Sequence, residues 1–259
     1  MERLDKFICD RADVSRKDVK LILRKGGVKV NGKTVTDPSH KINPGEDAVN
    51  FEGRELVYRR NTYIMLNKPE GYVCSTRDGR SETVMSLVPD ELMTKDLFPA
   101  GRLDKDSKGF VFLTDDGELA HRILSPKKHL TKCYLVRLEK EYSSDYEELF
   151  ASGMTIDGDE KCLPAKVCGI SHDSHFALVG LDEGKFHQVK RMFRAAGNKV
   201  ESLFRVQIGG LEINGKLAPG ECLEMLDNEI AKMLSDFDFS DARKSVEKSF
   251  CSYLINNKL

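Results

Sequence analysis

Tryptophan is absent from the 259 residues, which by itself says little about function. The seven cysteines are scattered and form no Cys-x-x-Cys pair. That pattern excludes a disulfide scaffold or a zinc ribbon and predicts reduced thiols. No window approaches the roughly 18 apolar residues of a membrane span. The opening Met1-Glu2-Arg3-Leu4-Asp5-Lys6 is charged and no apolar core follows it, so no secretory signal is expected and the cytoplasm is the expected location. No Gly-rich phosphate loop is present, because Gly209-Gly210 lacks both partner glycines and a lysine. His187 has no second histidine at metal spacing, and His172 and His175 sit in a polar turn without nearby cysteines. The chain therefore asks for chemistry that needs neither nucleotide nor metal.

What is present is charge, unevenly spread. The formal net charge is -1, yet residues 1–60 hold 14 Lys/Arg against 10 Asp/Glu. Residues 185–205 hold 6 against 1. Locally basic surfaces on a near-neutral protein suit a polyanion held in one place, although an uneven solvated surface gives the same counts.

The length accommodates one large domain or two unequal ones. In the first sixty residues, Leu4, Phe7 and Ile8, and again Val19, Ile22 and Leu23, have helical spacing. Ser15 followed by Asp18 predicts a capping box, and Gly26-Gly27 predicts the helix end. Val28 to Val35 alternates around Asn31-Gly32, a hairpin signal. Arg3, Arg16, Lys17, Lys20 and Arg24 can then line one side of the helix pair and hold phosphates. The runs Arg3-Leu4-Asp5-Lys6-Phe7, Val14-Ser15-Arg16 and Val28-Lys29-Val30-Asn31-Gly32 resemble an S4-like RNA-binding domain over residues 1–60. Arg54 to Asn61 reads as a polar linker.

From Tyr63 the pattern is of strands interrupted by helices. Strands are expected at Thr62–Leu66, Tyr72–Ser75, Phe110–Thr114, Lys132–Leu138, Ala165–Ile170, Phe176–Leu181, Val206–Ile208 and Cys222–Leu226. Helices are expected at Ser81–Leu87, Glu118–Leu124 (closed before Ser125-Pro126), Ser143–Ser152 and His187–Ala196. Strands and helices do not alternate regularly, which favours an α+β fold with a largely antiparallel sheet. Val246, Phe250 and Tyr253-Leu254 suggest an amphipathic helix in a C-terminal extension, 236–259.

The run Gly101-Arg102-Leu103-Asp104-Lys105-Asp106-Ser107-Lys108-Gly109 holds an aspartate two residues from an arginine, beside an apolar strand. That is a candidate for a carboxylate kept ionised for chemistry. With Lys68-Pro69-Glu70-Gly71, Thr114-Asp115-Asp116-Gly117, Lys132-Cys133-Tyr134 and Glu183-Gly184-Lys185-Phe186-His187-Gln188-Val189-Lys190-Arg191-Met192, it resembles the motif set of the pseudouridine synthases. Order, the N-terminal module and Met65-Leu66-Asn67-Lys68-Pro69 with Gly71 to Thr76 place the likeness in the small-subunit (RsuA) branch. The resemblance implies a catalytic domain over 61–235, with a mainly antiparallel mixed sheet and flanking helices around a cleft.

The same resemblance implies isomerisation of a uridine in 16S rRNA, uridine-516 type, without a cofactor. Asp104 is the implied catalytic carboxylate, with Lys190 as its cationic partner and Tyr134 stacked on the uracil. Much of the wider superfamily has arginine where Lys190 stands. Arg102, Lys68, His187, Gln188 and Arg191 are further candidates for RNA contact. A uridine of 23S rRNA, or RNA binding without chemistry, are the competing readings. The expected partner is ribosomal RNA or a small-subunit assembly intermediate, and a monomer is expected. Singly, each residue also has an ordinary reading: Asp104 a turn cap, Tyr134 core, Lys190 and Arg191 solvated helix charges.

Overall fold

The computed structural model describes residues 1–12, 14–56, 61–124 and 130–257. The chain divides into two compact units, Met1–Arg60 and Asn61–Leu259. Among the described residues, no helix is long and apolar enough to cross a membrane.

The first unit runs β1 (Glu2–Arg3), α1 (Leu4–Ala12), α2 (Arg16–Arg24), β2 (Val28–Val30), β3 (Lys33–Thr34), β4 (Lys41–Ile42), β5 (Val49–Phe51) and β6 (Arg54–Leu56). Ser15 caps α2, its hydroxyl accepting the Asp18 N–H. Gly26 stands at φ +77 just past the helix, the left-handed turn that ends it without a Cβ penalty. Asn31 and Gly32 both have positive φ, the requirement of the tight turn joining β2 to β3. Leu4, Phe7, Ile8, Val19, Leu23, Val28, Ile42 and Val49 close a small separate core. The polar stretch from Arg54, expected as a linker, is ordered at its start. Arg54–Leu56 doubles back over Glu52-Gly53, both at positive φ, and pairs antiparallel with β5. Residues 57–60 of that stretch lie outside the described residues, as does Ser125-Pro126.

The second unit runs β7 (Tyr63–Lys68), β8 (Phe98–Ala100), β9 (Lys108–Thr114), α3 (Gly117–Leu124), β10 (Lys132–Leu138), α4 (Asp145–Ala151), β11 (Thr155–Ile156), β12 (Glu160–Lys161), β13 (Lys166–Ile170) and β14 (Asp173–Leu181). It continues through α5 (Gln188–Ala195), β15 (Val200–Ile208), β16 (Leu211–Glu212), β17 (Cys222–Glu224), α6 (Asp227–Met233) and α7 (Phe239–Asn257). Nine strands form one sheet, ordered β13-β14-β10-β15-β9-β7-β17, with β16 on β15 and β8 on β9. The β15–β9 pair is parallel and the others are antiparallel.

Each central strand buries both faces, and alternation sorts its side chains into two cores. In β10, Tyr134, Val136 and Leu138 face one core with Tyr146 and Phe150 of α4 and Met192 and Phe193 of α5. Cys133 and Leu135 face the other, with α3, α6 and α7. α7 places Ala242, Val246, Phe250 and Tyr253 on that second face. The C-terminal extension is thus a covering layer of the sheet.

Two expected elements differ. Tyr72–Ser75 is not a strand: Val73 makes one bridge to Thr83, and the Ser75 N–H then turns back to the Val73 carbonyl. Ser81–Leu87 shortens to one 3-10 turn, Val84–Leu87, because Thr83 is committed to that bridge and caps Met85 instead.

Candidate active site

Loop 101–107 joins β8 to β9 and carries Asp104. Its backbone is held from behind by two buried cations. The Arg205 guanidinium, on β15, donates to the carbonyls of Gly101 (2.7 Å), Arg102 (3.4 Å) and Phe110 (2.6 Å). The Lys68 ammonium, at the end of β7, donates to Ser107 (2.6 Å), Lys105 (3.2 Å) and Pro69 (3.0 Å) carbonyls. Lys68 is completely buried, and burial lowers its pKa from 10.5 to about 8. The carbonyls stand in for the water it has lost. The Leu103 N–H meets the Cys74 sulfur at 3.3 Å, and the Gly71 N–H donates to the Lys105 carbonyl at 2.8 Å. Gly109 follows at φ +102, where a Cβ would stand 2.5 Å from the Arg205 carbonyl oxygen. Glycine there permits the parallel contact of β9 with β15.

In front of the loop opens a pocket of about 290 Å³. Arg102, Asp104, Tyr134, His187, Gln188 and Lys190 all line it, with Leu181, Leu203, Phe186 and others. Tyr134 arrives from β10, where the ladder to β15 slips by one residue between Cys133 and Tyr134. Such irregularities re-aim a side chain. Tyr134 is 8% exposed, so most of the ring is packed where β10 meets the pocket wall.

α5 supplies the other wall. His187 precedes it at φ +49, a left-handed conformation that costs a side-chain-bearing residue energy. Its Nε2 lies 3.4 Å from an Asp104 carboxylate oxygen. Gln188 is nearly buried and braces the approach to α5: its amide donates to Glu183 (2.7 Å) and its carbonyl accepts the Lys185 N–H (2.9 Å).

The cation–carboxylate pairing is not the simple one expected. Lys190 Nζ is 4.0 Å from Asp104 but 2.5 Å from Asp106, so one ammonium serves two carboxylates. Burial pushes the Asp106 carboxyl up, while the hydrogen bond and charge of Lys190 outweigh it and hold the group below its ordinary value.

Two residues expected to touch RNA stand elsewhere. Lys68 is sealed beneath the loop and presents no surface to a ligand. Arg191 is one turn-face away from Lys190 and is taken by Asp157 and Glu160, both at 2.5 Å, with the Phe186 carbonyl at 3.0 Å. In the N-terminal unit, Arg16, Lys17 and Lys20 are exposed on α2, and Arg3 is exposed but paired with Asp5 at 2.8 Å. Sequence reasoning overlooked Arg205, Asp106 and Phe186. Arg205 had one visible signal, an arginine inside the apolar run Leu203 to Ile208. Asp106 and Phe186 lay within the motifs without drawing a role.

A carboxylate on a doubly anchored loop, sharing an open pocket with an aromatic ring, an imidazole and a lysine, suits a ligand that carries both a flat base and phosphate. The chain belongs to the RNA pseudouridylate synthase family, whose model matches residues 62–195, and an S4 domain model matches residues 2–47. It is therefore a pseudouridine synthase, an isomerase. The ribosomal small subunit pseudouridine synthase A of Vibrio vulnificus is 44% identical, over 88% of this chain and 97% of that one. The Escherichia coli protein of the same name is 41% identical over 90% and 100%. An uncharacterized RNA pseudouridine synthase of Bacillus subtilis is 41% identical over 88% and 96%. A crystal structure of a pseudouridylate synthase, 39% identical, superposes with a TM-score of 0.63, covering 90% of this chain and 100% of that one.

Proposed function

We propose that this enzyme isomerises one uridine of 16S ribosomal RNA, of the uridine-516 type, with Asp104 as the catalytic carboxylate. The reaction breaks N1–C1′ and forms C1′–C5. The proton lost from C5 is balanced by the one gained at N1, so nothing is oxidised and no group is imported. A carboxylate serves as the nucleophile that such a bond exchange needs. The observation that carries the reading is the convergence of Asp104, Tyr134 and Lys190 on one open pocket. The relatives named for the small ribosomal subunit, matched over nearly their whole length, support the choice of RNA.

Each residue then has a task. Tyr134 lies flat against the uracil and its hydroxyl relays a proton. Lys190 keeps positive charge beside Asp104 while the glycosidic bond is exchanged, and the His187 imidazole edge borders the same carboxylate. Arg102 meets a phosphate at the pocket rim. The target base leaves its stack to enter, at a cost of a few kcal/mol in a duplex and less in a loop. Arg16, Lys17 and Lys20 of the N-terminal unit supply phosphate contacts that offset that cost.

The test is Asp104→Asn. It should retain RNA binding and lose pseudouridine formation by a factor of about 10³ or more; an unchanged yield rejects the assignment. Pseudouridine mapping in rRNA from cells with and without the gene identifies the target. A 16S profile that is unchanged while a 23S site disappears would replace the proposed RNA.

A further inference from the structure

Phe186 stands at the rim of the pocket with 74% of its surface exposed. An exposed phenyl ring is costly in water, and the ring is not left to move alone. It stacks on His187, with centroids 3.8 Å apart and planes 18° from parallel. His187 itself has a left-handed backbone, φ +49, uncommon for a residue with a side chain. The outer edge of the same imidazole faces Asp104 at 3.4 Å. A two-ring pile therefore begins beside the carboxylate and ends in solvent with an uncovered aromatic face.

The surroundings say what such a face takes. Arg102 lines the same pocket, as do Lys185, paired with Glu160 and Glu183, and Lys190, shared by Asp104 and Asp106, so a phosphate-bearing ligand finds basic groups at hand. An isolated phenyl ring is too small an apolar area for a protein partner. Stacked aromatic faces on cationic grooves are the way proteins hold unpaired bases, and each such stack is worth a measurable part of the affinity.

We propose that Phe186 is a stacking platform for the nucleobase next to the target uridine, holding the gap open once that uridine has entered the pocket. The inference rests on the catalytic reading above and extends it to a second nucleotide. The platform selects for a neighbour that is free to unstack, whichever base it is, and so biases the enzyme toward loops and irregular helices.

The test uses an RNA hairpin spanning the proposed 16S uridine, with 2-aminopurine placed at either flanking position. Wild-type enzyme should quench the probe at one of the two positions and convert the uridine. Phe186→Ala should lose that quenching and bind about tenfold or more weakly. Phe186→Trp should restore both, and Phe186→Leu, apolar but without a ring face, should restore neither. Equal quenching and affinity for wild type and Phe186→Ala, with normal conversion, would overturn the platform and leave the catalytic reading standing. Wild type that quenches the probe yet makes no pseudouridine, with Phe186→Ala silent, would uphold the platform and overturn the catalytic reading.

Discussion

The basic side chains behind loop 101–107 and those in front of it are used in opposite ways. Lys68 and Arg205 sit behind, buried, and spend their donors on five loop or strand carbonyls and that of Pro69. Lys190 and His187 sit in front, part-exposed, and face the carboxylates of Asp104 and Asp106. A charged donor to a buried carbonyl fixes backbone position, because losing it strands the acceptor without water. A cation near an open carboxylate adjusts charge at a surface that solvent can repair. The rear pair should therefore govern where Asp104 is, and the front pair what it can do.

Substitutions separate the two roles. The largest combined effect is expected for Arg205→Met, which removes the guanidinium's hydrogen bonds to the Gly101, Arg102 and Phe110 carbonyls. Stability should fall by about 3 kcal/mol or more, with activity falling alongside, as read by urea unfolding and pseudouridine yield. A variant of wild-type stability would show that the rear cation anchors nothing.

Lys190→Met should sharpen the contrast. Loss of activity of about 10²-fold or more is expected, with unfolding free energy within about 1 kcal/mol of wild type, because the ammonium faces an open pocket. A fall in stability comparable to that of Arg205→Met would erase the distinction between rear and front.

A pH series probes the rear pair by itself. The Lys68 pKa in the folded protein is about 8, against 10.5 as its ordinary value. Between those values the unfolded chain binds more protons than the folded one, so stability from this group rises with pH across the window. Below about pH 8 both states are protonated and the group adds no slope. The gain is at most about 3 kcal/mol. Lys132, lowered by burial to about 8 as well, titrates in the same range. The measurement is hence the difference in unfolding free energy between wild type and Lys68→Met from pH 8 to 10. A difference that does not change with pH would remove Lys68 as a buried titrating amine.

The smallest effect is expected in the N-terminal unit. Lys20→Ala on α2 should weaken RNA binding modestly and reduce the slope of log affinity against log salt by about 1. Conversion at saturating RNA should be unchanged. A changed single-turnover rate would mean that α2 does more than hold phosphate.

Much of this arrangement could be read from residue order. The α2 cap at Ser15, the Asn31-Gly32 hairpin and the strand at Lys132–Leu138 follow local rules, and the structure has them. Tyr134, Asp104 and Lys190 were paired by motif, and they do share a pocket. The burial of Lys68 was not readable, because a lysine before Pro69 looks the same whether its amine meets water or three carbonyls. The choice of Asp106 over Asp104 by Lys190 is a matter of one loop turn, below the resolution of spacing. Tyr72–Ser75 has strand composition, but a strand also needs a partner along its length, and among the described residues the pairing stops at one bridge, Val73 to Thr83.

Arg205 reaches Gly101 across 104 positions of chain. Contacts between such distant segments are slow to close, since loop entropy must be overcome before the bond forms. The carboxylate-bearing segment is held in part by such contacts, which require β15 to be in place against β9. Helix α2, whose cap spans three residues, needs no such wait. The small N-terminal core, closed by near neighbours in sequence, is thus free to form before the loop that carries Asp104 is fixed in place.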